Sequence, residues 1–241
     1  ASIIVIENAT GNVVSYIGNL DSKGDNGQDV DIVQSMRSTG SVLKPFLYLS
    51  MLTEGRLLPQ QMVKDVPIYF NGFRPQNYNR KYDGVVKADM ALARSLNVPA
   101  VILLNDYKLE RFKYQLSRLG ITSFHKPSSH YGLSLILGGG ESSLFQLAGV
   151  YSSLARVLNN YDDKEIFRYH NSDFHEPLLF DTAAIISPKQ EYGLVDAASV
   201  WYMFEAMSKV YRPEDGVTWE SYSSSHKIAW KTGTSYGHRD A

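Results

Sequence analysis

The chain begins with short β-type runs and then changes to helical periods. Ser2–Glu7 (SIIVIE) and Val13–Ile17 (VVSYI) flank Asn8-Ala9-Thr10-Gly11-Asn12, which predicts a hairpin. Gly18–Gln28, rich in Gly, Asp and Asn, reads as a loop. Ser41–Glu54 is apolar at 42, 43, 46, 47, 49, 51 and 52, a helix apolar on most of its surface and therefore central and buried. Pro45 is compatible with it because it falls in or just past the first turn. Leu57–Gly84 carries Pro59, Pro67 and Pro75 and five aromatics between Tyr69 and Tyr82, which predicts an ordered excursion packed by those rings. Helical patterns follow at Lys87–Ser95, at Asn105–Leu119, closed by Gly120, at Ser142–Leu158, with Ser142 as N-cap, and at Leu194–Val210. His226–Ser235 (HKIAWKTGTS) predicts a strand. Strands at both ends with helices between them indicate one α+β domain.

Composition narrows the function more than the fold. The 241 residues are 44% hydrophobic and 20% charged, ordinary globular material. Lys+Arg number 24 against 25 Asp+Glu, scattered, for a net charge of -1, so no basic face for nucleic acid is expected. With no cysteine there is no disulfide, thiolate zinc site, iron–sulfur cluster or cysteine nucleophile. The longest apolar run, Val98–Leu104, falls well short of the roughly 18 residues of a membrane span. The chain opens at Ala1 on a strand-like stretch rather than on a signal peptide. The histidines show no H-E-x-x-H spacing, and His170 and His175 read as solvated loop residues, so neither metal nor cofactor is expected. Gly138-Gly139-Gly140 lacks the G-K-[ST] of a phosphate loop and reads as a tight turn.

Three short elements carry chemistry: Ser41-Val42-Leu43-Lys44, Ser95-Leu96-Asn97 and Lys231-Thr232-Gly233-Thr234-Ser235. S-x-x-K alone is weak, since 26 Ser and 13 Lys placed at random give about 1.4 matches. Ser123/Lys126 and Ser224/Lys227 also match. Context separates them: Ser41 starts a strongly apolar helix, which puts Lys44 one turn away on the same face, whereas Ser123 and Ser224 lie in polar loop-like surroundings. Ser95-Leu96-Asn97 could be a helix stop before Val98-Pro99, and K-T-G a polar strand end. The three together, in that order, are the signature of active-site-serine penicillin-binding enzymes.

The residue types suit one reaction. A serine hydroxyl needs an adjacent base to act as a nucleophile. A lysine one turn away serves if burial and a second cation destabilise its ammonium. Lys231 can be that cation and can attract a substrate carboxylate, which the Thr232 and Thr234 hydroxyls can hydrogen-bond. Backbone N–H groups at a helix start by Ser41 can face developing negative charge.

With these residues in view, the chain resembles the transpeptidase domain of class A penicillin-binding proteins over nearly its whole length. The likeness covers Ile6–Gly11, Arg37–Phe46, Pro75-Gln76-Asn77-Tyr78, Gly84-Val85-Val86, Ser95–Val101, Tyr131–Gly139 with Glu141, and Trp230–Gly237. The last run, with Arg239-Asp240-Ala241, points to one branch of that class. The resemblance implies a penicillin-binding protein transpeptidase or serine β-lactamase-like α+β fold, an antiparallel sheet with a helical subdomain. Residues 1–17 and 186–241 would be sheet-side, and 18–185 mainly helical. It departs from the family at Thr39, where proline is usual, and at His238, more often aromatic. It also stops at Ala241, just after the third element, so two further strands and a C-terminal helix are expected beyond it.

The implied activity is a serine-type D-Ala-D-Ala transpeptidase that crosslinks peptidoglycan stem peptides and is acylated by β-lactams. Ser41 would be the nucleophile, Lys44 its base and Ser95 a proton relay, with Lys231 the partner cation. Asn97, Thr232, Gly233 and Thr234 would bind substrate, and the N–H groups of Ser41 and Thr234 would form the oxyanion hole. The parent protein would lie at the periplasmic face of the inner membrane, with an upstream glycosyltransferase domain and a membrane anchor. A DD-carboxypeptidase and a non-enzymatic β-lactam sensor share these elements. A β-lactamase is disfavoured, since no E-x-x-L-N element lies between Ser95 and Lys231.

Overall fold

The computed structural model describes residues 1–20, 29–70, 72–180, 189–209 and 227–234. Short antiparallel strands alternate with helices, an α+β architecture as expected. The strands form four two-stranded antiparallel ladders among the described residues: β1 (Ile3–Ile6) with β2 (Val13–Ile17), β3 (Arg37–Ser38) with β6 (Glu141–Ser142), β4 (Met62–Asp65) with β5 (Gly84–Lys87), and β7 (Tyr169–His170) with β8 (Lys189–Gln190). The chain groups into two compact units.

One unit comprises Ala1–Ser38, Lys113–His130 and Gly140–Val200. Its β1–β2 hairpin is the one expected, with a register shift between Val5 and Ile6. The hairpin packs on a long amphipathic helix, Leu144–Asn160. The N-cap of that helix is Ser143, whose hydroxyl accepts from Gln146 N, and not the expected Ser142. Ser142 instead pairs with Arg37 in the β3–β6 ladder, and a residue held in a ladder cannot also turn into a helix. His175 and His170 are half-buried rather than solvated. The His175 ring sits against Gly11, and its Nδ1 lies 2.7 Å from Glu176 O.

The other unit comprises Thr39–Phe112, Tyr131–Gly139 and Trp201–Ala241, and holds all three chemical elements. At its centre is α1 (Lys44–Thr53), in which every residue from Lys44 to Met51 is buried, as its all-round apolar pattern requires. Pro45 sits in the first turn, where its missing N–H costs nothing. Residues 41–43 form a turn and not helix: Val42 N donates to Thr39 O and Lys44 N to Ser41 O. Next come α2 (Ala88–Ala93) and α3 (Asn97–Tyr107), followed by α4 (Leu109–Leu119). α3 was not legible as a helix because Pro99 reads as a stop and its buried residues surround it, leaving no polar stripe to show the period. Pro99 falls in the first turn, where it is tolerated. The helix expected over Asn105–Leu119 is broken at Lys108, which takes a left-handed φ of 80°. α5 (Ser128–Tyr131), α6 (the Leu144–Asn160 helix) and α7 (Ala197–Ser208) complete the α-helices of the described residues, with short 3-10 helices at Gly132–Leu137 and Asn171–Asp173.

The Leu57–Gly84 excursion is held differently from expectation. Tyr69 and Tyr78 are exposed, the latter 92% so. The anchors are the β4–β5 ladder and a buried polar pair, Asp65 and Asn77. A second correction concerns His226–Ser235. Residues 227–234 form no ladder among the described residues, and extended backbone is assigned as strand only when paired. Trp230 N donates instead to Met207 O at the end of α7. His226 and Ser235 lie outside the described residues, as do Val210, Ser224, residues 21–28 of the expected loop, and residues 236–241.

Candidate active site

The Ser95-Leu96-Asn97 element is the turn between α2 and α3. Ser95 N donates to Leu92 O and Leu96 N to Ala91 O, the paired bonds of a helix C-terminal motif whose key position adopts left-handed backbone. Glycine usually fills that position, but here it is Ser95, with φ 53°. A non-glycine residue held there costs about 1–3 kcal/mol. The strain brings the Ser95 carbonyl and hydroxyl to the first turn of α1.

There they meet Lys44, which is only 3% exposed. Lys44 Nζ donates to Ser95 O and to Asn97 Oδ1, both at 2.7 Å, and lies 3.4 Å from Ser95 Oγ. On its apolar side a void of about 20 Å³ is walled by Leu47, Tyr48, Ala91, Leu92, Leu96 and Ala100. Burial first, and the charge of Lys231 second, hold the Lys44 ammonium well below the ordinary lysine range. A neutral amine has two N–H bonds and one lone pair. Ser95 O and Asn97 Oδ1 match the two hydrogens, which leaves the lone pair for a hydroxyl proton.

Lys231 approaches the same serine from the C-terminal segment. Its Nζ donates to Ser95 Oγ at 2.8 Å and to Thr232 O at 2.8 Å, and burial brings its pKa down to about 8. Two glycines allow this segment to lie against the Ser41 turn. A Cβ on Gly40 (φ +49) would stand 2.6 Å from Thr234 N and 2.8 Å from Thr234 O, and one on Gly233 2.8 Å from a Val42 methyl and 3.0 Å from Thr39 O. Gly40→Ala is therefore expected to push the 231–234 segment off its seat and lower the unfolding free energy by about 1–3 kcal/mol, read by calorimetry.

The structure thus gathers Lys44, Ser95, Asn97 and Lys231 by direct hydrogen bonds, with Ser41, Gly233 and Thr234 on the two apposed backbones. Thr232 and Thr234 are exposed on the same segment. The bonds of Lys44 go to the 95–97 turn rather than to Ser41, whose carbonyl accepts from Lys44 N. Asn97, expected to bind substrate, already uses its Oδ1 on Lys44 and one Nδ2 hydrogen on Gln76 O at 2.8 Å. The competing Ser123 donates to Gln146 Oε1 while Lys126 is exposed beside His130, so that pair does not assemble. The roomier cavities, of about 260 and 220 Å³, lie in the other unit and hold none of these residues. No cluster of three or more metal-ligating side chains occurs among the described residues, and no described helix is long and apolar enough to cross a membrane.

Two contributors escaped the sequence reading, Asp65 and Asn77. Asn77 Oδ1 accepts from Asn97 N at 2.9 Å and from Val98 N at 3.2 Å, while its Nδ2 donates to Asp65 Oδ1 at 2.8 Å. The available signal was Leu96, an N-cap residue with no oxygen to cap a helix.

Known proteins resemble this chain over most of its length. The penicillin binding protein transpeptidase domain profile matches residues 1–239. Penicillin-binding protein 1C of Escherichia coli K12 is 33% identical over all of this chain, which covers 29% of that protein. Penicillin-binding protein 1A of Neisseria cinerea is 27% identical, again over all of this chain and 30% of its own length. The chain therefore spans less than a third of these relatives. Among solved structures, the TP domain of Burkholderia pseudomallei penicillin-binding protein 3 superposes with a TM-score of 0.67 at 18% identity, over 88% of this chain and 62% of that one, which shows the shared fold. The match across residues 1–239 and the 33% identity to a 1C protein over all of this chain establish that it is a member of the penicillin-binding protein transpeptidase domain family.

Proposed function

We propose that this chain is the peptidoglycan-crosslinking DD-transpeptidase part of a larger cell-wall protein, working through an acyl-enzyme on Ser41. One observation carries the proposal: the Ser95 hydroxyl lies between a deeply buried Lys44 and a less buried Lys231, with Ser41 on the turn that leads into Lys44. Ser41 Oγ attacks the carbonyl carbon of the penultimate D-Ala, and its proton passes to the neutral Lys44 amine. The N–H groups of Ser41 and Thr234 receive the developing oxyanion. Collapse breaks the C–N bond to the terminal D-Ala, whose nitrogen takes the proton from Lys44 by way of the Ser95 hydroxyl. An amine of a neighbouring stem then attacks the Ser41 ester, its proton returns to Ser41 Oγ, and the crosslink is complete.

Lys231, Thr232 and Thr234 hold the terminal carboxylate, Gly233 keeps their segment close to Ser41, and the second Nδ2 hydrogen of Asn97 is available to the substrate backbone. β-Lactams, which resemble D-Ala-D-Ala, acylate the same serine. No cofactor takes part. The family resemblance supports an extracytoplasmic setting, with a glycosyltransferase domain and a membrane anchor elsewhere in the parent protein.

The test is adduct mapping. The full-length protein is treated with a labelled penicillin and digested, and the label is expected on the peptide containing Ser41. Label on Ser123 or Ser224 would overturn the proposal. Stem peptide supplied with an acceptor amine is expected to yield a crosslinked dimer. Release of D-Ala with no dimer would make the domain a carboxypeptidase, and neither product despite acylation would make it a sensor.

Three further results are expected. The second-order acylation constant should rise with pH as Lys44 loses its proton and fall above about 8 as Lys231 loses the charge that attracts the carboxylate. Stability should move differently. Both lysines are depressed in the folded state, so the unfolded chain binds more protons over this range. The fold gains stability as pH rises through the folded values toward the ordinary lysine value. Ser95→Gly separates fold from chemistry in another way: glycine relieves the left-handed strain, so the melting temperature should hold or rise, while acylation falls by about 10²-fold or more with loss of the relay.

A further inference from the structure

Asn97 is the first residue of α3, and nothing local caps that helix. Its N-cap, Leu96, has no side-chain oxygen, yet the N-terminal amides of this 11-residue helix, Pro99 apart, need acceptors from outside it. Asn77, 20 residues earlier in the chain and 3% exposed, takes two of them on one oxygen. An amide can turn either way about its last bond, and only one orientation presents oxygen to α3. Asp65, 1% exposed on β4, selects it by accepting from Asn77 Nδ2. Asn77 Nδ2 also donates to Lys81 O, and Asp83 N donates to the second Asp65 oxygen, so the pair is fixed from both sides. Gln76 O, next to Asn77, accepts from Asn97 Nδ2 and leaves the Asn97 oxygen aimed at Lys44 Nζ.

We infer that Asn77, oriented by Asp65, is a positioning residue for acyl transfer: it caps α3 from a distance and through that cap sets the Asn97–Lys44 contact. The inference rests on the acyl-enzyme reading above. Asn77 touches no reacting atom. Its effect is that Asn97 Oδ1 holds one Lys44 N–H, so that the amine lone pair faces a hydroxyl. Losing the cap frees the 95–97 turn, and the chemical step should suffer while noncovalent binding does not.

The experiment measures acylation of the full-length protein by a fluorescent penicillin. Its concentration dependence separates the noncovalent dissociation constant from the first-order acylation rate, and the end-point label counts competent sites. Asn77→Ala is expected to cut the first-order rate per competent site at least tenfold and to leave the dissociation constant within about twofold. Asn77→Asp alone sets two carboxylates face to face and should be as slow or slower. Asn77→Asp combined with Asp65→Asn restores a carboxylate–amide pair with its polarity reversed and keeps an oxygen toward α3, so it should react faster than Asn77→Asp.

The inference is overturned if Asn77→Ala reacts at the unsubstituted rate per competent site, or if its deficit lies wholly in the dissociation constant. If Asn77→Ala yields no competent sites, the paired variant decides: a rate above that of Asn77→Asp supports the inference, and an equal rate overturns it. Ser41→Ala tests the underlying reading separately, because label on that variant would defeat the acyl-enzyme itself whatever Asn77 does.

Discussion

Ser41→Ala in the full-length protein is expected to abolish the covalent penicillin adduct and crosslinking together, with the melting temperature nearly unchanged. Losing a nucleophile that acts with its base as a unit costs on the order of 10⁶-fold in turnover. The other candidate serines among the described residues are already engaged. Ser95 Oγ is engaged by Lys231, and Ser123 Oγ by Gln146. The small structural effect follows from position: Ser41 lies in a turn, half-buried, and the helix behind it is held by fully buried residues such as Leu43, Phe46 and Leu49. Intact mass after penicillin treatment reads the result directly, and an adduct of equal yield on the variant would remove Ser41 from the mechanism.

Lys44→Met should lower the acylation rate by about 10³-fold, within the usual range for losing a general base. Methionine nearly matches the lysine stem and suits the apolar void beside it, so the loss would reflect the missing amine and not a hole. Stability is set by opposing effects. A costly buried amine is gone, but Ser95 O and Asn97 Oδ1 lose their donor, at about 1–3 kcal/mol for each group left unsatisfied. A modest fall in melting temperature is therefore expected, far too small to explain the kinetic loss. The ascending limb of the pH profile should vanish with the amine. A limb that survived in Lys44→Met would assign the base to another residue, with Lys231 the first candidate.

How much was readable beforehand depended on how local each cause is. The β1–β2 hairpin follows from β-rich runs around a turn. α1 follows from an apolar pattern so dense that only a central position suits it. The three chemical elements could be found because each is a few residues long, and their joint order is improbable by chance. α3 was hidden because burial on all sides erases the periodic contrast on which helix reading depends. The cap of Leu144–Asn160 was misplaced by one residue because a two-residue ladder claimed Ser142 first. The expected strand over His226–Ser235 was read from composition, but a strand is defined by its partner, and a partner is never a property of the segment itself.

The site divides in the same way. By itself the sequence determined which chemistry-bearing residue types are present and how they are spaced: a serine with a lysine three positions on, a second lysine beside small hydroxyl residues, and no cysteine or metal-ligand spacing to compete. Only the tertiary structure decided what each lysine meets. Lys44 suits the proposed base role because its stem is buried and its amine meets Ser95 and Asn97, more than 50 positions away in the chain. Lys231 meets the same Ser95 hydroxyl across a still longer separation, and the remote Asn77–Asp65 pair holds the turn they share. Residue type sets which protons can move, and local pattern sets which helix or turn carries them. Desolvation and hydrogen-bond partners, which set where those protons rest, come into being only when distant segments pack together.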